Sequence, residues 1–175
     1  MKIRNIKTFL IITIFIVAML SFFALFWLFF NGTNRDMNNF YNEFGVNLPE
    51  DASVIYKEVA FGAMGDGESL VIYSVSSKSM EGFTKKGIIR SWAQLPINKG
   101  LYTELHRKIG IDNKEIAKHM NLGWQNGYYY IKDRFMSYNP KLKAQLDFEY
   151  HKLHNFSIGI IDVKENNIYF YRYNQ

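Results

Sequence analysis

The C-terminal end of the chain reads Phe156-Ser-Ile-Gly-Ile-Ile-Asp-Val163, then Lys164-Glu-Asn-Asn167, then Ile168-Tyr-Phe-Tyr-Arg-Tyr173, and it decides the fold that we expect. The two outer segments are rich in β-branched and aromatic residues and alternate in the way that β-strands do. The four polar residues between them are typical of a turn. The sequence therefore predicts an antiparallel hairpin whose second strand carries Tyr169, Tyr171 and Tyr173 on one face.

Three further strands are predicted upstream of this hairpin. Residues 52–61 and 69–76 have strand composition and flank a glycine-rich turn at 62–67, so they should form a second hairpin. The segment Gly127-Tyr-Tyr-Tyr-Ile-Lys132 follows an Asn-Gly turn and predicts a middle strand. About five strands are therefore expected in a mostly antiparallel sheet.

Helices are predicted between the strands. Apolar spacing and capping residues indicate helices at about 77–86, 100–109 and 113–120, the last of them capped by Asp112 or Asn113. Residues 134–155 are polar and predict a long surface connection. Helices grouped between hairpins are typical of the α+β class. We therefore expect residues 51–175 to form one α+β domain, with two or three helices packed on one face of the sheet.

The N-terminal part of the sequence has a different character. No residue from Phe9 to Phe30 is charged, a length that suits a transmembrane helix. Basic residues at 1–8 precede this run, which predicts a cytoplasmic N-terminus. Residues 31–50 predict an amphipathic helix at 33–45, ended by a left-handed turn at Gly45, and then a linker. The run ends in bulky residues where a signal peptidase needs small ones, so we expect an uncleaved anchor in the cell membrane and an extracytoplasmic domain.

Charge and cysteine content exclude several classes of function. The chain has 21 basic and 16 acidic residues, and three of the basic ones precede the apolar run. The remainder is nearly balanced, so no nucleic-acid partner is expected. There is no cysteine, which excludes disulfides, thiolate metal sites and a cysteine nucleophile. No motif predicts a cofactor.

Four charged residues are the candidates for catalysis. Asp66 and Glu68 stand in Gly65-Asp-Gly-Glu68, which lacks the further ligands of a calcium loop and the lysine of a phosphate loop, and which suits a hairpin turn. Asp133 and Arg134 follow the middle strand, and we expect an ion pair there, either at the strand end or to a helix.

Two histidines and five tyrosines are the remaining candidates. His151 and His154 are placed to meet a metal if they share one helical turn, but no further ligands are spaced to complete a zinc site, so we predict no metal. The candidate binding residues are aromatic and lie on predicted strands: Tyr128, Tyr130, Tyr169, Tyr171 and Tyr173. They either form an exposed interaction face or are covered by a helix.

Four strings in a fixed order resemble a family of small, uncharacterised extracytoplasmic proteins of Gram-positive bacteria, many of them lipoproteins. They are Gly65-Asp-Gly-Glu68, Trp92-Ala-Gln-Leu-Pro96, Asn126-Gly-Tyr-Tyr-Tyr-Ile-Lys-Asp-Arg134 and Asn155-Phe-Ser-Ile-Gly-Ile-Ile-Asp162. The resemblance covers about 47–175 and implies a location outside the membrane, without an activity. The chain departs from the family pattern at Met64, where a histidine is common, and in having no cysteine to carry a lipid.

Three functions are consistent with these features. The first is a membrane-anchored interaction module, for example of immunity or exclusion type, that contacts lipid through residues 9–30 and a protein partner at the outer surface. The alternative is a cell-envelope hydrolase that uses Asp66, Glu68 and Asp133. The third is a structural accessory subunit that pairs through its membrane helix.

Overall fold

The computed structural model describes residues 3–85, 89–111, 113–120, 122–134 and 153–175, and leaves the side chains of 3–11 and 26–34 outside the description. The elements, in chain order, are α1 (Ile3–Phe44), β1 (Ser53–Phe61), β2 (Gly67–Ser74), α2 (Ser77–Lys85), β3 (Ala93–Gln94), α3 (Lys99–Lys108), α4 (Lys114–His119), β4 (Gly127–Asp133), β5 (Phe156–Asp162) and β6 (Asn167–Asn174). They fall into two compact units, 1–38 and 39–175.

The described strands form one antiparallel sheet in the order β1-β2-β6-β5-β4-β3. The predicted α+β class and both predicted hairpins are therefore confirmed. The two hairpins join because β2 pairs with β6, from Gly67 opposite Asn174 to Ser74 opposite Asn167. The described part of the chain holds six strands instead of about five, because the short β3 pairs with β4 in the stretch 87–96, which the sequence predicts to be irregular or extended.

One face of the sheet carries the larger apolar core. Leu70, Tyr171 and Ile158 are paired across β2, β6 and β5, and none of them is exposed to solvent. Helices α3 and α4 cover this face and contribute Leu105 and Ile116, which are also completely buried. Amphipathic spacing on these two short helices is therefore explained by their place on the sheet.

The opposite face of the sheet is covered as well, which corrects the expectation of helices on one face only. Phe40 and Phe44, in the last turns of α1, lie 5.7 and 5.5 Å from the Phe170 ring of β6, measured between ring centroids. Trp92 lies 5.6 Å from Phe44 in the same way. Every residue of β5 is buried, as expected for a strand covered on both sides.

The end of α1 follows the sequence prediction, but its beginning does not. Gly45 adopts a φ of +68°, and its N–H donates to the Tyr41 carbonyl over 2.7 Å, so the predicted glycine stop is confirmed. A helix start near residue 33 is wrong, because α1 runs without a break from Ile3. Capping by Asn113 at the start of α4 is confirmed.

The transmembrane helix predicted at 9–30 is wrong for the described part of the chain. Among the described residues, no helix is both long enough and apolar enough to cross a membrane. Most of the predicted 134–155 connection lies outside the described residues.

Candidate functional site

Glu68 is a buried structural anchor. Its side chain has no solvent exposure, and its carboxylate accepts hydrogen bonds from the backbone N–H groups of Gly110 (2.9 Å) and Asn113 (2.6 Å). The Tyr171 hydroxyl donates a further bond over 2.8 Å. These bonds hold the α3–α4 connection on the sheet and compensate for burying a charge. These three hydrogen bonds indicate that the Glu68 carboxylate stabilises the fold. Because it is buried, a substrate cannot reach it.

The candidate acids do not converge. Asp66 lies exposed in the β1–β2 turn, which is confirmed as a hairpin turn. Glu68 and Asp133 stand at the two ends of one row across the sheet, with Tyr173 and Phe156 between them. Three strand spacings put their backbones about 14 Å apart. Paired carboxylates of glycoside hydrolases lie at most about 9.5 Å apart, so this row does not form such a pair.

The five candidate tyrosines lie on two different faces of the sheet. Tyr169, Tyr171 and Tyr173 are on the face that α3 and α4 cover, and they are at most 8% exposed. Tyr128 and Tyr130 point to the other face and are half-buried. Of the two alternatives for the tyrosines of β6, the structure therefore shows the covered one.

No metal site is found among the described residues, where no three histidine or acidic side chains are grouped for an ion. His154 is exposed just before β5, and His151 lies outside the described residues. The depression between α3 and α4, of about 260 Å³, is lined by Tyr102, His106, Ile109, Ala117, Met120 and Leu122. This lining includes no carboxylate, so it offers no pair of groups for acid–base chemistry.

Arg134 makes the ion pair to a helix that is one of the two predicted alternatives. Its Nη1 lies 3.2 Å from Oε1 of Glu43, in the last turn of α1. Its Nη2 donates to the Tyr173 carbonyl over 3.0 Å and to the Asn174 side chain at the end of β6. The Arg134 guanidinium therefore connects the end of α1 to the end of the sheet where strands β4 and β6 end and β5 begins.

Two more cations reach the same carboxylate. Lys132 Nζ lies 3.4 Å from Oε2 of Glu43, and Arg172 Nε lies 3.9 Å from Oε1. We call Glu43, Lys132, Arg134 and Arg172 the Glu43 cluster. The alternation of β4 and β6 places Lys132 and Arg172 on one face, but their meeting with Glu43 depends on how α1 packs, which no local pattern in the sequence reveals.

A second unusual feature lies in the first unit. Between residues 12 and 25 of α1, ten large apolar side chains are between 43% and 67% exposed: Ile12, Ile14, Phe15, Ile16, Val17, Met19, Leu20, Phe22, Phe23 and Leu25. They occupy all sides of the helix, since successive residues are 100° apart. A continuous apolar surface of this kind marks a site of interaction with lipid or protein.

Comparison with protein-family models, with curated proteins and with solved structures finds no match to this chain.

Proposed function

We propose that this protein is a membrane-associated interaction module, in which the apolar side chains at 12–25 bind lipid and the unit 39–175 binds a protein partner. The exposure of ten large apolar side chains along 14 residues carries the proposal. Removing one such side chain from water contributes about 1.5–3 kcal/mol. Together they supply a strong drive toward an apolar environment.

Lipid is the partner that fits the distribution of these side chains. A protein groove covers one stripe of a helix, whereas the exposed side chains of Ile14, Phe15 and Leu20 point in three directions around α1, about 100–140° apart. Acyl chains adapt to an apolar surface without needing a matched shape. A location at the cell membrane follows from this proposal.

The edge strand β1 is the surface that best suits a protein partner. It lies at one end of the sheet order, so its outer backbone groups are placed to pair with a further strand. Ile55 and Val59 are 56% and 53% exposed on this strand, and Met64, in the turn that follows, is 91% exposed. Exposed apolar side chains beside an open edge favour addition of a strand from another molecule.

Lipid binding is tested by flotation of the purified full chain with phospholipid vesicles after detergent removal. The wild-type chain should rise with the vesicles, whereas a V17D/L20D variant should stay at the bottom of the gradient. V59D is the matched control, because it adds a charge at an equally exposed valine of the other unit, and it should float. A wild-type chain that stays at the bottom would overturn the lipid proposal, as would equal flotation of V17D/L20D.

A further inference from the structure

Several buried polar atoms in and beside the Glu43 cluster make no hydrogen bond to the described residues. Glu43 Oε2, Arg172 Nε and Ser157 Oγ are buried and have no hydrogen-bond partner among the described residues. Buried polar atoms in folded proteins nearly always have one, so each exception calls for an explanation. Three such atoms at one place indicate a site at which a further polar group binds.

The strand register places these atoms together. Ser157 of β5 is paired with Lys132 of β4 on one side and with Arg172 of β6 on the other. Paired residues on neighbouring antiparallel strands point to the same face, with Cβ atoms about 5 Å apart. Ser157, which has no solvent exposure, therefore lies on the sheet between the two cations.

Three cations of the Glu43 cluster lie within 4 Å of one carboxylate, that of Glu43. Arg134 is the closest cation to Glu43, and Lys132 and Arg172 share the same carboxylate at greater distances. An N···O distance of 3.9 Å is too long for a hydrogen bond. Lys132 and Arg172 are each about one-third exposed, at 34% and 35%, so part of each side chain faces solvent beside the buried Arg172 Nε.

We propose that Lys132, Arg172 and Ser157 bind a phosphate group in its singly protonated form. This form is HPO4²⁻ for inorganic phosphate and the monoanion for a phosphate monoester, which loses its last proton near pH 6. Its charged oxygens accept from Lys132 Nζ, the Arg172 guanidinium and the Ser157 hydroxyl. Its P–OH group donates to Glu43 Oε2, which gives the acid in this basic cluster a role in binding. Sulfate has the same shape and no proton at neutral pH, so Glu43 repels it.

Binding is measured on the full chain in detergent micelles at pH 6, where a large share of a phosphate monoester keeps its proton, by calorimetry and by the NMR signal of the Arg172 Nε–H. Inorganic phosphate and glycerol phosphate should bind and shift that signal, and sulfate should bind at least tenfold more weakly. An arm with phosphatidic acid in the micelles distinguishes a lipid phosphate from a free one. Equal binding of sulfate and phosphate would overturn the proposal, as would no phosphate binding at millimolar concentration.

Variants separate a built site from general attraction to positive charge. K132Q and R172Q should each weaken phosphate binding about tenfold, the value of one hydrogen bond to a charged group. K164Q is the matched control, because Lys164 is 73% exposed in the β5–β6 turn, and it should bind like wild type. An equal loss of phosphate affinity in K164Q would show that phosphate responds only to the net charge of the protein, and it would overturn the proposed site.

Two further substitutions test the roles of the hydroxyl and the acid. S157A should weaken phosphate binding several-fold while the free protein stays as stable as wild type, since the hydroxyl has no partner to lose among the described residues. E43Q should bind sulfate and phosphate about equally, because the repelling charge is gone. Unchanged phosphate affinity in S157A, or unchanged selectivity in a folded E43Q, would contradict the assigned roles.

Discussion

The hydroxyl of Tyr171 donates a hydrogen bond to Glu68 over 2.8 Å, and neither side chain is exposed to solvent. Tyr171 belongs to the central strand β6, and the same carboxylate also accepts from two backbone N–H groups of the α3–α4 connection. The pair thus links the centre of the sheet to the layer of helices above it.

We expect loss of this link to destabilise the protein. Y171F should lower the free energy of unfolding by about 1–3 kcal/mol, because it removes a donor from a buried charge. E68A should lower the free energy of unfolding by more than Y171F does, since it leaves the N–H groups of Gly110 and Asn113 buried without their acceptor. Denaturant unfolding followed by circular dichroism measures both. D66N, at the exposed acid two residues away, is the control and should match wild type within about 0.5 kcal/mol. Equal stability of E68A and D66N would refute the anchoring role.

Gly159 is expected to tolerate no side chain. A Cβ at this position would lie 2.6 Å from Cη2 of Trp92 and 3.1 Å from the Phe44 ring. G159A should therefore destabilise the unit 39–175 by about 1–3 kcal/mol, the usual cost of overpacking. The comparison is G82A on α2, where a Cβ meets nothing within 4 Å. That substitution should stabilise by about 0.5–1 kcal/mol through helix propensity. A G159A variant as stable as wild type would mean that the aromatic side chains above β5 move apart easily.

Alkaline pH should destabilise the fold through Tyr56 and Tyr169. Burial raises the pKa of Tyr169, and nearby Asp162 adds to the effect. Burial and then Glu58 raise the pKa of Tyr56. The ordinary value is 10.0, so the unfolded chain loses these protons first as the pH rises. The stability present below pH 10 is therefore lost as the pH rises toward the folded-state pKa values.

The measurement is chemical unfolding at pH 8 and at pH 10.5. Y56F should reduce the loss of stability between the two pH values, without a penalty at pH 8, since the Tyr56 hydroxyl has no hydrogen-bond partner among the described residues. Y102F, at a tyrosine that is 39% exposed on α3, serves as the control. Between pH 8 and pH 10.5 it should lose as much stability as the wild-type protein. If Y56F and the wild-type protein lose equal stability between the two pH values, the ionisation of Tyr56 is not linked to folding.

Partner binding should depend on the edge strand β1. A pull-down with the full chain from detergent-solubilised membranes should recover a protein that an I55E/V59E variant loses, because both exposed apolar side chains become charged. K164E is the control for added negative charge at an exposed position, and it should recover the same protein as wild type. Identical recovery by I55E/V59E and wild type would remove β1 as the docking surface.

Local patterns in the sequence were enough to predict most elements of the unit 39–175. The alternation at 156–163 and 168–173 and the glycine turn at 62–67 correspond to the two hairpins of the structure. Helices α3 and α4 lie within two residues of the predicted bounds. These features are set by neighbours in the chain, which is why one sequence suffices to find them.

Contacts between distant segments are what the sequence did not reveal. The pairing of β2 with β6 joins the two hairpins, and the packing of Phe40 and Phe44 covers the second face of the sheet. The same packing brings Glu43 to Lys132 and Arg172, 89 and 129 residues further along the chain. Strand alternation also could not tell which face of β6 the helices cover, so the exposure of its tyrosines stayed open.

A single label tests most directly the proposed contact between lipid and the apolar side chains of α1. Because the chain has no cysteine, V17C carries one fluorophore at a unique place, and K164C provides the same label on the other unit. The protein is reconstituted into vesicles with and without lipids whose acyl chains carry a quencher. We predict strong quenching at position 17 and little at position 164. Equal and weak quenching at both positions would contradict the account.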